Sequence, residues 1–322
     1  MILVTGGMGF IGMHTARRLL DAGEDVVITY HRSWQEPSFI KDEYGKRVQI
    51  EKVDLANPYD VFPLGHKYKI TGIAHLVVPP VGASEPPEQY RVNTMSLYHV
   101  LEAGRQWGVK RVTIASSVAV YSGLPNGPFV EDTPLRIDSA STTEAFKKAE
   151  ETMALFYGKD TSLDVVSVRI AGIYGPLFNK QARLAQLPMT FIMQACRSAV
   201  DGVAMDPRYA PDGGPFEDAA SDFCYVKDTG LAIATLQTAD SLPNRIYNAS
   251  NGRLTTMREV ADAVQKVYPK AQIPLRAGGP PRQRPDAYMD TTRIRQDAGF
   301  APEYDIDSSI ADYIEWLRKN PE

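Results

Sequence analysis

The chain opens on a short apolar run, Ile2-Leu3-Val4-Thr5, which breaks into a glycine turn. Ile11, Ala16, Leu19 and Leu20 then follow at helical spacing, and Gly23 supplies a stop. A run without alternation suits a strand covered on both faces, and the spacing after the turn suits a helix laid against it. Further strand signals fall at residues 25–30, 48–53, 73–78, 111–115 and 163–168. Helical patterns lie between several of them, notably over 90–107 and 144–157. Strand and helix taking turns predicts a parallel, doubly wound α/β sheet with right-handed crossovers.

The pattern changes after Tyr174-Gly175-Pro176. From there to about residue 222 the chain is rich in Pro, Gly and Asp, with one helical stretch near 189–200 and a turn-rich loop over 205–220. A helix over 256–267 precedes the Pro/Gly/Arg segment 278–286, and a last helix spans 308–317. This reading divides the chain into a larger doubly wound domain over 1–175 and a smaller α/β lobe over 176–322, with segments around 223–250 returning to the first domain. A substrate cleft is expected between the two.

Composition narrows the partners. The 322 residues are 43% hydrophobic and 23% charged, which is ordinary for a globular protein. A formal charge of -4 supplies no basic face for nucleic acid. Cys196 and Cys224 are too few for a disulfide framework and are expected as buried thiols. No apolar run approaches the roughly 20 residues that span a bilayer. Met1-Ile2-Leu3-Val4 lacks the basic start and cleavage site of a signal peptide, so a cytoplasmic protein is expected.

The loop Thr5-Gly6-Gly7-Met8-Gly9-Phe10-Ile11-Gly12 sits between a strand and a helix, the context a phosphate cradle needs. Gly6 permits the tight turn, Gly9 lets a pyrophosphate approach the backbone, and Gly12 allows close helix packing. The unsatisfied N–H groups of the helix start, at Phe10 and Ile11, then face the phosphates.

This loop resembles that of the extended short-chain dehydrogenase/reductases, the NAD-dependent epimerase/dehydratase family, and the likeness runs almost the length of the chain. Val53-Asp54-Leu55 resembles the acidic position at the adenine. Val92-Asn93-Thr94 resembles the Asn-containing helix beneath the cofactor, and Ala115-Ser116-Ser117-Val118-Ala119-Val120-Tyr121 resembles the catalytic-serine strand. Glu131-Asp132-Thr133-Pro134, Arg169-Ile170-Ala171-Gly172-Ile173-Tyr174-Gly175-Pro176, Asp222-Phe223-Cys224-Tyr225-Val226-Lys227-Asp228 and Tyr247-Asn248-Ala249-Ser250 match later signatures in order. The resemblance implies a Rossmann-type fold with a C-terminal substrate lobe and a nicotinamide cofactor held by Gly6, Gly9, Phe10, Ile11, Gly12, Asp54, Leu55, Asn93 and Ile170. It also implies a substrate near Ser117 and Tyr174, and a homodimer built on helices 90–107 and 144–157. Leu97, Val100, Leu101, Met153, Ala154 and Phe156 are the expected core of that interface.

Two departures matter. The second strand ends in Tyr30-His31-Arg32-Ser33 with no carboxylate to repel a 2′-phosphate, and Arg32 can pair with one, which favours NADP, with NAD as the alternative. The family tyrosine, which exchanges a proton near neutral pH because a lysine one turn on stabilises its phenolate, is missing. In Ser141-Thr142-Thr143-Glu144-Ala145-Phe146-Lys147-Lys148, taking Lys147 as that lysine puts Thr143 at the tyrosine position. Taking Lys148 puts Glu144 there. Tyr121 is the nearest other phenol.

Relatives acting on nucleotide sugars carry an arginine before the Asp-Phe pair, where Ser221 stands here. Arg282 and Arg284 resemble a second phosphate-contacting arginine, with Arg284 the matching position. Trp34, Tyr209 and Phe216 are possible pocket aromatics. The reading is an epimerase/dehydratase or oxidoreductase with an atypical acid/base and candidate catalytic residues Ser117, Thr143 and Lys147, acting on a carbonyl, alcohol or sugar-type substrate. The alternative is an idle dinucleotide binder. No metal site is expected.

Overall fold

A computed structural model describes residues 1–320 apart from 33, 35–38, 78–84, 126, 179–187, 207–214 and 281–285. The elements begin β1 (Ile2–Thr5), α1 (Phe10–Asp21), β2 (Val26–Tyr30), β3 (Val48–Lys52), α2 (Pro58–Val61), α3 (Leu64–Lys67), β4 (Gly72–His75), α4 (Pro86–Trp107) and β5 (Arg111–Ser117). They continue with α5 (Thr142–Thr161), β6 (Val165–Ile170), β7 (Gly172–Tyr174), α6 (Pro188–Asp201), β8 (Ala220–Tyr225), α7 (Val226–Thr238) and β9 (Ile246–Ala249). The last are β10 (Leu254–Thr256), α8 (Met257–Val267), α9 (Thr292–Ala298) and α10 (Ile306–Lys319).

Seven parallel strands form the main sheet in the order β3-β2-β1-β4-β5-β6-β9. Strand order reverses beside β1, whose neighbours are β2 on one side and β4 on the other. In an open parallel sheet such a reversal leaves a crevice at the C-terminal strand ends, and ligands bind there. Alternation along the strands feeds two cores. Ile2, Val4, Val26 and Ile28 pack with Ala16, Leu19, Ile233 and Leu236 of α1 and α7 on one face. Leu3 and Val27 pack with Leu97, Val100, Leu101 and Ala154 of α4 and α5 on the other.

A second sheet, β10-β8-β7, anchors the smaller lobe, whose core joins Tyr174, Phe223 and Tyr225 to α6, α8 and α10. α7 packs on the main sheet and β9 is its last strand, so the chain returns to that sheet after β8 and leaves it again at β10.

The six apolar positions expected at the dimer face separate. Leu97, Val100, Leu101 and Ala154 are buried in the protein's own core, because α4 turns an apolar face to the sheet and Ala154 is where α5 joins that core. The outer faces expose Tyr90 (58%), Tyr98 (47%), Met153 (37%) and Phe156 (60%). Among the described residues, no helix is long and apolar enough to cross a membrane.

Candidate active site

The glycine loop has the geometry of a phosphate cradle. Gly6 adopts φ +66°, a conformation that side chains disfavour, and its carbonyl accepts the Gly9 N–H at 2.9 Å. A Cβ on Gly12 would lie 2.2 Å from the Gly6 oxygen, so α1 approaches the turn as closely as it does because no side chain intervenes. A Cβ on Gly9 would meet only that oxygen, at 3.0 Å, and otherwise open space. Gly9 caps α1 with no side-chain hydrogen bond, so the Phe10 and Ile11 N–H groups face outward unclaimed within the helix. An anion placed at Gly9 would meet these groups and the positive end of the helix dipole, and the residues present therefore fit a dinucleotide pyrophosphate. The segment after β7 is tied to this helix: His14 Nε2 lies 3.0 Å from the Pro176 carbonyl, and Phe178 meets the Phe10 ring edge-on at 5.2 Å.

At the far end of the crevice, Tyr30 ends β2 and packs edge-on against Trp34 at 5.1 Å. His31 Nε2 stands 3.9 Å from Asp54 Oδ2, while Asp54 Oδ1 accepts the Ala56 N–H at 3.0 Å. Arg32 is exposed, within electrostatic reach of Glu88 at the start of α4, where Glu88 pairs with Arg91. Leu55 is buried. Asn93 is buried two turns inside α4, and its amide donates to the Gln89 carbonyl at 2.8 Å, a bond within its own helix.

The corner expected to be catalytic forms where β5 ends against α5. Ser117 closes β5, pairs in register with Ile170, and its Oγ accepts the Ala119 N–H at 3.1 Å, which leaves its proton free to donate. Ser141 caps α5 by accepting the Glu144 N–H at 3.2 Å. Thr143 is half-buried in the first turn, with no hydrogen-bond partner for its hydroxyl among the described residues.

Lys147 is buried at 6% exposure, and its Nζ donates to Glu150 Oε2 at 2.8 Å. Burial and the Lys147 charge together push the His75 imidazole, at the end of β4, down to about 3. His75 Nδ1 lies 2.9 Å from Thr5 Oγ1, so both residues belong to the crevice between β1 and β4.

Lys148 points elsewhere. It donates to Glu144 Oε1 at 2.7 Å and to the Asp138 carbonyl at 3.0 Å. Burial raises the Glu144 carboxyl, but Lys148 and the Ala140 N–H outweigh it and hold the group below its ordinary value. Glu144 therefore anchors the turn before α5, which favours the Lys147 and Thr143 register.

Tyr121 offers no substitute base. It is buried, stacked on Phe129 at 5.0 Å, and donates to Asn248 Oδ1 at 2.8 Å while accepting from Arg169 Nη1 at 2.7 Å. Burial pushes its phenol up. Arg169 also grips the Glu151 carboxylate and the Glu131 carbonyl, and Glu131 Oε1 accepts the Asn248 N–H at 2.9 Å. Four of the quoted motifs thus meet in one buried polar hub behind Ser117.

Tyr174 departs from expectation. It is buried in the lobe core with its hydroxyl 2.6 Å from Ser309 Oγ, because β7 turns that side chain toward α10 rather than the crevice. Ile170 is buried at the end of β6 and presents only backbone. Phe216 stacks on the Arg276 guanidinium at 4.2 Å. Arg282, Arg284 and Tyr209 lie outside the described residues. His75 and Glu150 escape sequence reading. Glu150 carries the one usable signal, a carboxylate three residues after the lysine. Among the described residues no three His, Cys, Asp or Glu side chains gather as a metal site.

Comparison with known proteins follows the same lines. Residues 2–250 match the model of the NAD dependent epimerase/dehydratase family. A UDP-glucose 4-epimerase of Lacticaseibacillus casei is 26% identical, over 100% of this chain and 98% of its own. A Thermus thermophilus UDP-glucose 4-epimerase in complex with NAD is 25% identical with a TM-score of 0.75, covering 99% of each chain. A partial-consensus L-threonine 3-dehydrogenase shares the fold at 22% identity and a TM-score of 0.74, again over 99% of each chain. With the cradle, the strand order and the match over most of its length in agreement, this chain belongs to the NAD-dependent epimerase/dehydratase family.

Proposed function

We propose that this protein binds NADP in preference to NAD and exchanges a hydride between it and a carbonyl or alcohol of a small or sugar-type substrate. The observation that carries the reading is the inward-facing Lys147, one turn beyond Thr143 on the helix that packs against the Ser117 end of β5. The dinucleotide, when bound, supplies or accepts the hydride. The Phe10 and Ile11 N–H groups would hold its phosphates, Arg32 would meet the 2′-phosphate, and Asp54 would lie at the adenine. Lys147 would donate to the nicotinamide ribose.

Ser117 donates to the substrate oxygen, and Thr143 adds a second donor. Neither hydroxyl ionises near neutral pH, so they orient and polarise that oxygen and leave proton exchange to water. Turnover slower than a tyrosine-bearing relative's follows. Ser221 in place of an arginine weakens the case for a nucleotide sugar, although curated relatives such as the L. casei protein are named UDP-glucose 4-epimerases.

The test is a panel of sugar nucleotides and small hydroxy compounds, followed by nicotinamide absorbance. Hydride transfer to any member supports the proposal, and tight cofactor binding with no transfer on the whole panel supports the idle binder instead. The exposed Tyr90, Tyr98, Met153 and Phe156 support a homodimer through α4 and α5. Light scattering at micromolar concentration should report two chains, and a monomer would count against it. Two buried, unpaired thiols support a cytoplasmic setting.

A further inference from the structure

The inner face of α5 is charged where an apolar stripe is usual: Glu144, Lys147, Glu150 and Glu151 are buried, with Ala154 and Gly158 beyond them. Glu144 is engaged by Lys148 and the Ala140 N–H, and Glu151 by Arg169 and the Ser167 hydroxyl. Glu150 is engaged by Lys147, at 2.8 Å, and both side chains are at most 10% exposed.

A helical lysine tends to lean toward the N-terminus of its helix, here toward Thr143. Glu150 lies one turn in the other direction and holds the ammonium by a charge-assisted bond. Burying an ammonium without a counter-charge is costly, so Lys147 stays where it is because Glu150 is there. With no tyrosine on the other side, Glu150 is the one anionic partner of Lys147 among the described residues.

We propose that Glu150 is a positioning residue: its carboxylate fixes the site of the Lys147 ammonium and thereby sets the affinity for the nicotinamide ribose. The inference rests on the reading of Lys147 as the ribose-binding lysine. It is tested with the full-length protein by calorimetric titration with NADP and by thermal melts, for the unaltered chain and Glu150→Gln, Glu150→Asp, Lys147→Ala and Lys147→Ala/Glu150→Gln.

Glu150→Gln should weaken NADP binding about tenfold or more, with Glu150→Asp recovering part of the loss. The double variant should bind no more weakly than Lys147→Ala, since Glu150 acts only through the lysine. A Glu150→Gln affinity within twofold of the unaltered protein overturns the inference, as do losses that add in the double variant. If Glu150→Gln does not fold, the same cycle is read with Glu150→Asp, whose smaller loss must vanish in the Lys147→Ala background. Unchanged binding in Lys147→Ala itself removes the underlying reading of the lysine, a different result from an inert Glu150.

Discussion

Two glycines of the cradle should fail in opposite ways when given side chains. At Gly9 the backbone is at φ -87° and ψ 177°, open to any residue, and a Cβ would touch only the Gly6 carbonyl oxygen, at 3.0 Å. Gly9→Val should therefore cost the fold little, about 1 kcal/mol at most through a poorer helix cap. Its side chain would nevertheless stand where the proposed site has a pyrophosphate meet the Phe10 and Ile11 N–H groups. Losing two hydrogen bonds to a charged ligand removes about 3–6 kcal/mol of binding, or roughly two to four powers of ten in Kd.

At Gly12 the added Cβ would sit 2.2 Å from the Gly6 oxygen and 2.6 Å from the Gly7 Cα, both backbone atoms that cannot swing aside. Gly12→Ala should cost roughly 1–3 kcal/mol of stability, as overpacking does. Calorimetric titration with NADP, paired with thermal melts, separates the two outcomes. Unchanged Kd in Gly9→Val, or equal loss of Tm in both variants, would refute the reasoning.

Replacing Arg32 with Ala should weaken NADP binding by roughly 1.5–3 kcal/mol and NAD binding far less; equal losses, or tighter NAD than NADP binding in the unaltered protein, would remove the preference. Thr143→Tyr should create or raise oxidoreductase activity by placing a phenol one turn from Lys147, read as hydride transfer on the substrate panel; no gain with intact cofactor binding would sink the assigned register. Burial pushes the Asp222 carboxyl from 3.8 to about 7. The folded protein thus holds that proton more tightly than the unfolded chain, and this contribution to stability is full below about pH 4 and lost as pH rises through about 7. Asp222→Asn should flatten urea-derived stability against pH over that window by a few kcal/mol, and an unchanged slope would show that Asp222 is not its source.

Much of the main sheet is legible because its strands are unbroken apolar runs and its long helices are periodic. α7 is not, since Val226, Asp228, Thr229, Gly230, Ala232, Ile233, Ala234, Leu236 and Gln237 are buried around most of its circumference, and no polar face marks it. β7 and β10, of three residues each, are too short to show a period. Apolar residues on α4 and α5 are visible in sequence, but whether Leu97 faces the sheet or Phe156 faces a partner depends on which way each helix docks. The candidate cofactor lysine is a similar case. Adjacent Lys147 and Lys148 read alike, and only the turn of α5 onto β5 shows which is buried. Tyr174 and Arg169 sit in recognisable motifs whose side-chain directions follow from strand pairing, which is settled far along the chain.

Arg169, Glu151, Tyr121, Glu131 and Asn248 come from five separate stretches of chain and share one set of internal hydrogen bonds. Losing Arg169 or Glu151 alone strands the other as an unpaired internal ion, at about 3–5 kcal/mol, a large share of the roughly 5–15 kcal/mol that holds a domain folded. Exchanging both for apolar side chains of similar volume avoids that penalty. Mutational routes through this region are therefore narrow: first steps are severe, and second steps are compensating only at the matching position. Drift should be slow there even though none of the five side chains needs to meet a substrate, and a library varying them one at a time would misjudge what the fold can accept.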